Sequence, residues 1–379
     1  MIDPRTPVIV AARRTPIGTA GLALRNVDAV GLAHPVLRTV ADDVLAGGPA
    51  QVVLGNCMGP GGNIARVASL AAGFGVGVPA MTVDLQCGSG LAAITTACAL
   101  VRSGSADTVV AGGVESASTA PWRMWPPADG AAPRRYTRAP FSPAEIGDPE
   151  MGAAADDLAR SSGISRERQD AYAVRSHTRA AAARAAGRFD DEIVALPQLD
   201  HDERVRDTLR TSTLARLPAA FSAGGTVTAG NACGINDGAA AVTIVSEARR
   251  RADGIPGLAC LDWEMVGCDP NLPGLGPVPA IRNLLHRNAI QQDDVGVIEI
   301  NEAFAAQVLA CCDGLGIDEQ RVCVEGGALA LGHPWGASGA VLAVRMFSQM
   351  VRVDGAELGV AAIAVGGGQG VALLLQRVG

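Results

Sequence analysis

The sequence predicts an α/β protein built on a largely buried mixed or parallel sheet with helices on its faces. Two observations carry this. Short β-rich runs alternate with Ala-rich stretches of helical length along most of the chain. Of 379 residues, 48% are hydrophobic and 18% charged, and 47 are glycine, which suits a well-buried core with closely packed backbones. The length fits two or three domains or one large duplicated unit.

Taken in order, residues 8–12, 51–55, 80–84 and 108–111 read as strands, with helices at 28–43 and 90–103 between them. Residues 119–160 carry Trp122, Trp125, Pro126, Pro127, Pro133, Pro140 and Pro143 with few periodic segments. A strong helix follows at 166–187, capped by Ser165 with Glu167 in its first turn. The stretch 198–228 is polar and irregular, so 119–245 reads as an inserted, loop-rich domain. Strands at 258–263, 295–300, 322–325 and 358–365 and helices at 278–288, 303–314 and 336–351 complete the pattern. The expected division is 1–118 plus 246–268 as an N-terminal half, the insertion 119–245, and 269–379 as a C-terminal half.

The halves echo each other. One strand reaches Cys87-Gly-Ser-Gly90, then a small-residue helix, then a strand ending in Gly112-Gly113. Later, a strand at Val322 leads to Gly332-His-Pro334 and Gly336-Ala-Ser-Gly339, then a similar helix, then a strand ending in Gly366-Gly367. A duplicated fold would bring both turns to one central junction.

Net charge is −7 without a basic run, and only 3% of residues are aromatic, so nucleic acid is not an expected partner. All the basic side chains are Arg, which excludes a lysine Schiff base. The nine cysteines form no CxxC and only five histidines are present, so no metal site is expected. An odd thiol count without an export-signal pattern points to reduced cysteines in the cytoplasm. No uncharged apolar run is long enough to span a membrane.

Three segments could carry chemistry. Cys87 opens a helix, where free N–H groups and dipole potential favour a thiolate; the alternative is a small buried cysteine. His333, between Gly332 and Pro334 in an apolar loop, could deprotonate a cysteine or be a structural histidine. Asn301-Glu302 ends an apolar strand, where open α/β sheets place ligands, though Asn301 could also cap the next helix.

Read together, Cys87-Gly-Ser-Gly-Leu91, Asn301-Glu-Ala-Phe304, Gly332-His-Pro-x-Gly-Ala-Ser-Gly339 and Gly366-Gly-Gly-Gln-Gly370 resemble the thiolase family along essentially the whole chain. Ala12-Arg-Arg-Thr-Pro-Ile-Gly18, Gly112-Gly-Val-Glu-Ser116 and Gly225–Gly238 extend the match. The resemblance implies two duplicated mixed-sheet halves in five αβαβα layers, a loop domain inserted in the first, and a homo-dimer or homo-tetramer. It implies a Cys87 nucleophile that takes an acyl group from acyl-CoA, with His333 as its activator. His333 would also bind the thioester oxygen, aided by a water on Asn301, and the N–H groups of Cys87 and Gly366 would form a second oxyanion hole. CoA would be substrate, not a covalently bound cofactor. Arg206 and Thr213 would lie near its nucleotide, while Met151, Phe221, Ala229, Cys233, Ala303 and Phe304 would line the pantetheine tunnel.

One departure stands out. Ala364 occupies the position of the family's second, proton-shuttling cysteine, so the carbon acid–base step of Claisen condensation or thiolysis is expected to be impaired or altered. Cys233 stands in place of the usual Ser, Pro273 of a common Met and Asp84 of a common Asn. Another group or water could replace the missing thiol, and Cys233 is nearest by motif position, though it reads first as tunnel lining. Other readings are acyl transfer to another acceptor, thioester hydrolysis, C–C cleavage of another kind, or a non-catalytic acyl-CoA-binding subunit.

Overall fold

A computed structural model of the chain describes residues 2–45, 47–127, 129–353 and 355–379. The first elements are β1 (Pro7–Arg14), β2 (Gly18–Thr19), α1 (Ala29–Asp42), β3 (Gln51–Gly55), α2 (Ile64–Ala71), β4 (Ala80–Val83), α3 (Ser89–Ser103) and β5 (Thr108–Ser116). The middle holds a hairpin of β6 (Arg123–Trp125) and β7 (Arg134–Tyr136), then α4 (Met151–Ser161), α5 (Arg166–Ala185) and α6 (Thr211–Leu214). Then come β8 (Asn236–Ser246), α7 (Glu247–Asp253), β9 (Gly257–Gly267), α8 (Pro277–Arg287), β10 (Val297–Ile300), α9 (Ala305–Leu315), α10 (Ala328–Leu331), α11 (Trp335–Phe347), β11 (Leu358–Val365) and β12 (Gln369–Val378).

One topology occurs twice. In the first half the strand order is β4-β3-β5-β8-β1, with β3 parallel to β4 and β5, and β8 antiparallel to β5 and β1. In the second, β10 runs parallel to β11 and bridges Val322 in parallel, while β12 is antiparallel to β11 and β9. The halves join edge to edge where Val8 and Ile9 pair with Ala259 and Leu258. The nine residues of β5 are all buried, as are the first ten of β8, so these strands are apolar on both faces.

The central helices α3 and α11 pack on each other, and each touches strands of both halves. Helices α1 and α2 cover the outer face of the first sheet half, and α8 and α9 that of the second. The five layers are therefore helices, sheet, helices, sheet, helices. Glycine makes the central layer possible: a Cβ on Gly90 would lie 2.8 Å from Ala340 N, and one on Gly339 2.4 Å from Leu91 N. These glycines end the matching turns of the two repeats, and they let the helices meet backbone to backbone.

Several expectations shift. Strand β8 lies between β1 and β5 in the core, so the expected insertion 119–245 takes in one core strand. Strand β9, expected within the N-terminal stretch 246–268, pairs with β12 over its whole length and with β1 at two residues only. Its pairing puts it with the second half. Of the strand expected at 322–325, one bridge at Val322 forms. Helix α9 starts at Ala305 with Phe304 at its N-cap, so Asn301 does not cap it. Ser165 does cap α5, accepting from the Arg168 N–H at 3.2 Å.

Candidate active site

Cys87 is thrown out of the end of β4 by a tight turn. Gln86 takes φ 48°, a left-handed conformation that costs a non-glycine residue of order 1 kcal/mol or more. Local bonds hold it there. Asp84 Oδ1 accepts from the Gln86 N–H at 2.9 Å, and Ser89 Oγ donates to the Gln86 carbonyl at 2.6 Å and accepts from the Leu85 N–H at 2.8 Å. The thiol is thereby set just ahead of α3. Burial, then the neighbouring Cys233, push it up to about 12. The helix start therefore does not leave a free thiolate at rest, contrary to the simplest reading of the turn.

His333 is fixed from two sides. Its backbone N–H donates to Asn236 Oδ1 at 2.9 Å, and its Nδ1 lies 2.5 Å from Ser338 Oγ. That hydroxyl also reaches the Pro334 carbonyl, one helical turn back, at 3.0 Å. With its single proton on that carbonyl, Ser338 accepts from Nδ1–H, which leaves Nε2 as a bare acceptor. Nε2 is buried with no hydrogen-bond partner among the described residues. Burial lowers the imidazole to about 4, so Cys87 and His333 meet as neutral thiol and neutral base.

Both line an apolar cavity of about 110 Å³. Its wall also includes Ala364 and Gly366, Met151, Ala154, Ala155 and Leu158 of α4, and Cys233, Ala303, Phe304, Gln307, Pro273, Gly274, Trp335 and Val365. Within the buried run of β11, Ala364 alone is half-open, and it presents only a methyl to the cavity. The structure therefore brings together Cys87, His333, Gly366 and Ala364 with four of the six expected tunnel residues.

The others lie elsewhere. Asn301 is not on this wall; its Nδ2 sits 3.4 Å from His333 Nδ1, and it borders a separate small cavity beside Glu299 and Arg345. Phe221 is exposed and packs edge-on to Phe304, with ring centroids 6.0 Å apart. Ala229, Arg206 and Thr213 are exposed on the same inserted region. The Arg206 backbone N–H donates to His177 Nδ1 at 3.2 Å, and its guanidinium makes no ion pair among the described residues.

The whole chain matches two thiolase models: the thiolase N-terminal domain over residues 7–248 and the thiolase C-terminal domain over 256–377. The chain belongs to the thiolase family. It is 43% identical over 390 residues to an acetyl-CoA acetyltransferase of Pseudomonas aeruginosa, covering 98% of this chain and 99% of that one. The crystal structure of the Bacillus anthracis acetyl-CoA acetyltransferase superposes with a TM-score of 0.91 at 37% identity, covering 98% of this chain and 99% of that chain. That of human mitochondrial 3-ketoacyl-CoA thiolase in complex with CoA gives 0.92 at 33%, covering 99% of each. This thiolase is an acyltransferase enzyme, and the fold is the thiolase fold.

Some supporting residues of this thiolase were missed. Glu115 accepts from the N–H groups of Cys57, Met58 and Gly336 and from Asn56 Nδ2, at 3.0–3.1 Å, pinning the start of α11 against the loop after β3. Its signal was a carboxylate inside an apolar strand. Glu302, singled out with Asn301 at the strand end, accepts from Tyr172 and Ser176 hydroxyls and the Leu329 N–H, tying α5 to the wall around Ala303. Arg204 donates to the carbonyls of Ala232 and Leu329, bracing the loop that carries Cys233. Nothing in the sequence marked Trp335 as pocket lining.

Proposed function

We propose that this enzyme moves an acyl group from acyl-CoA through a thioester on Cys87. The observation that carries the reading is the unpartnered Nε2 of His333 on the same apolar wall as the Cys87 thiol. His333 takes the thiol proton as Cys87 attacks the thioester carbonyl, so charge appears only as the bond forms. The N–H groups of Cys87 and Gly366 receive the developing oxyanion, and each such donor is worth about 3 kcal/mol. His333, with a water on Asn301, serves the second carbonyl.

CoA is substrate, with no covalently bound cofactor. Its arm follows Met151, Phe221, Ala229, Cys233, Ala303 and Phe304, and its nucleotide lies near the exposed Arg206 and Thr213. The edge strand β4, paired on one side only, supports assembly as a homo-dimer or homo-tetramer. Nine free cysteines fit the reducing cytoplasm. The domains divide as two halves around an insertion beginning near residue 119 and closing before β8.

The net reaction is C-acyl transfer on 3-ketoacyl-CoA, slowed because position 364 supplies no thiol. Incubation with acetoacetyl-CoA and CoA, followed by product analysis, tests it. Acetyl-CoA as the accumulating product supports the reading. Free acid products would instead mean hydrolysis, and acyl groups found on an added alcohol or amine would mean another acceptor.

A further inference from the structure

The pocket lacks a thiol at Ala364 but holds one elsewhere. Of the residues that line it, only Cys87, His333 and Cys233 can exchange a proton. During carbon–carbon bond formation Cys87 carries the acyl group and His333 holds the proton it took from Cys87. Cys233 is the group left.

Its placement is built, not incidental. The Cys233 N–H donates to the Ala303 carbonyl at 3.0 Å, and Ala232 bridges Phe304, so the residue is locked to the wall facing into the cavity. Arg204 flanks it on both sides: Nη2 donates to the Ala232 carbonyl at 3.1 Å, and a Cβ on Gly234 would lie 2.8 Å from Nη1. A fixed cation beside a thiol favours its thiolate, while burial makes that thiolate a strong base, with the thiol pushed up to about 12.

Resting on the acyl-Cys87 reading, we propose that Cys233 has taken over the carbon acid–base step from position 364. In the first half-reaction His333 Nε2 takes the Cys87 proton and the thiolate attacks the thioester. The C–S bond to CoA breaks, and Cys233 gives its proton to the leaving CoA thiolate. In the second, the Cys233 thiolate removes a proton from the α-carbon of the second acyl-CoA. The resulting carbanion attacks the acyl carbon on Cys87, the C–C bond forms, and the C–S bond to Cys87 breaks. The proton on His333 returns to the Cys87 thiolate, while Cys233 keeps the α-proton, so both thiols and the imidazole end as they began. No oxidant or other reactant is needed.

The step has its own readout: uptake of solvent deuterium at the α-carbon of acetyl-CoA, followed by mass spectrometry, beside acetylation of Cys87 followed by intact mass. Cys233→Ala and the near-isosteric Cys233→Ser should each lower deuterium uptake at least ~100-fold and slow Cys87 acetylation far less, because CoA can leave as its own thiolate whereas the α-proton has no other base in the cavity. Uptake that persists in either variant, or acetylation lost in parallel with it, overturns the proposal. So does an unsubstituted enzyme that acetylates Cys87 yet shows no uptake, although that result leaves the acyl-Cys87 reading standing. An unsubstituted enzyme that fails to acetylate at all counts against both. In Cys233→Ala, adding Ala364→Cys should restore uptake, because it returns a thiol to the same cavity.

Discussion

Ser338 Oγ lies 2.5 Å from His333 Nδ1 and 3.0 Å from the Pro334 carbonyl, and this pair of contacts decides which nitrogen of the imidazole is basic. Ser338→Ala frees the ring to adopt either tautomer. Single-turnover acetylation of Cys87 should slow by about 10- to 100-fold, with folding stability lowered by only ~1 kcal/mol in urea titration. A variant that acetylates at the original rate would show that the bond does not orient the base.

The neutral state of the pair has a pH signature. Burial holds His333 at about 4 and the Cys87 thiol at about 12, so neither ionises in the free enzyme between pH 5.5 and 8. The acetylation rate, extrapolated to low acetyl-CoA concentration, should be nearly flat across that range. A step near pH 6.5 would mean that an imidazolium–thiolate pair exists at rest.

Stability should depend on pH more steeply than activity. His333 and His177 are both lowered by burial to about 4 from 6.5. Between those values the unfolded chain binds protons that the folded chain does not. Their contribution is therefore complete above pH 6.5 and shrinks as pH falls toward 4. Each is worth on the order of 3 kcal/mol. Urea midpoints should fall steadily from pH 6.5 to pH 4.5, and His177→Gln should flatten that slope.

Glu115 faces four donors and no acceptor, the setting of an ionised carboxylate, although burial raises its pKa. Glu115→Ala strands the backbone N–H groups of Cys57 and Met58 in the loop after β3 and of Gly336 at the start of α11. It should cost about 3 kcal/mol or more, measured by urea unfolding, and lower acetylation as well, because the segment it pins carries His333.

Ala364→Cys adds a further free thiol to the cavity that Cys233 lines. It should raise acetoacetyl-CoA thiolysis at least ~10-fold while leaving Cys87 acetylation unchanged. An unchanged thiolysis rate would mean that proton transfer at carbon does not limit turnover.

The doubled topology was legible because each repeat carries the same order of apolar run, glycine turn and small-residue helix. Cys87 and His333 were legible for the same reason: each sits in a turn whose glycines exist to let two helices meet. What the sequence hid was pairing. Strand β8 follows a polar, irregular stretch, yet its partners β1 and β5 lie more than a hundred residues upstream. Ser338 and Asn236 support His333 through contacts that span five and ninety-seven residues, and only the first is local enough to suggest itself. Trp335 and Gln307 reach the cavity through packing that no periodicity reports.

The most direct test is single-turnover acetylation by acetyl-CoA, read by intact mass and peptide mapping. One acetyl group should appear on Cys87 with release of one CoA, and Cys87→Ser should abolish both. No adduct, or an adduct on Cys233 with Cys87 untouched, would contradict the assignment of Cys87 as the acyl carrier.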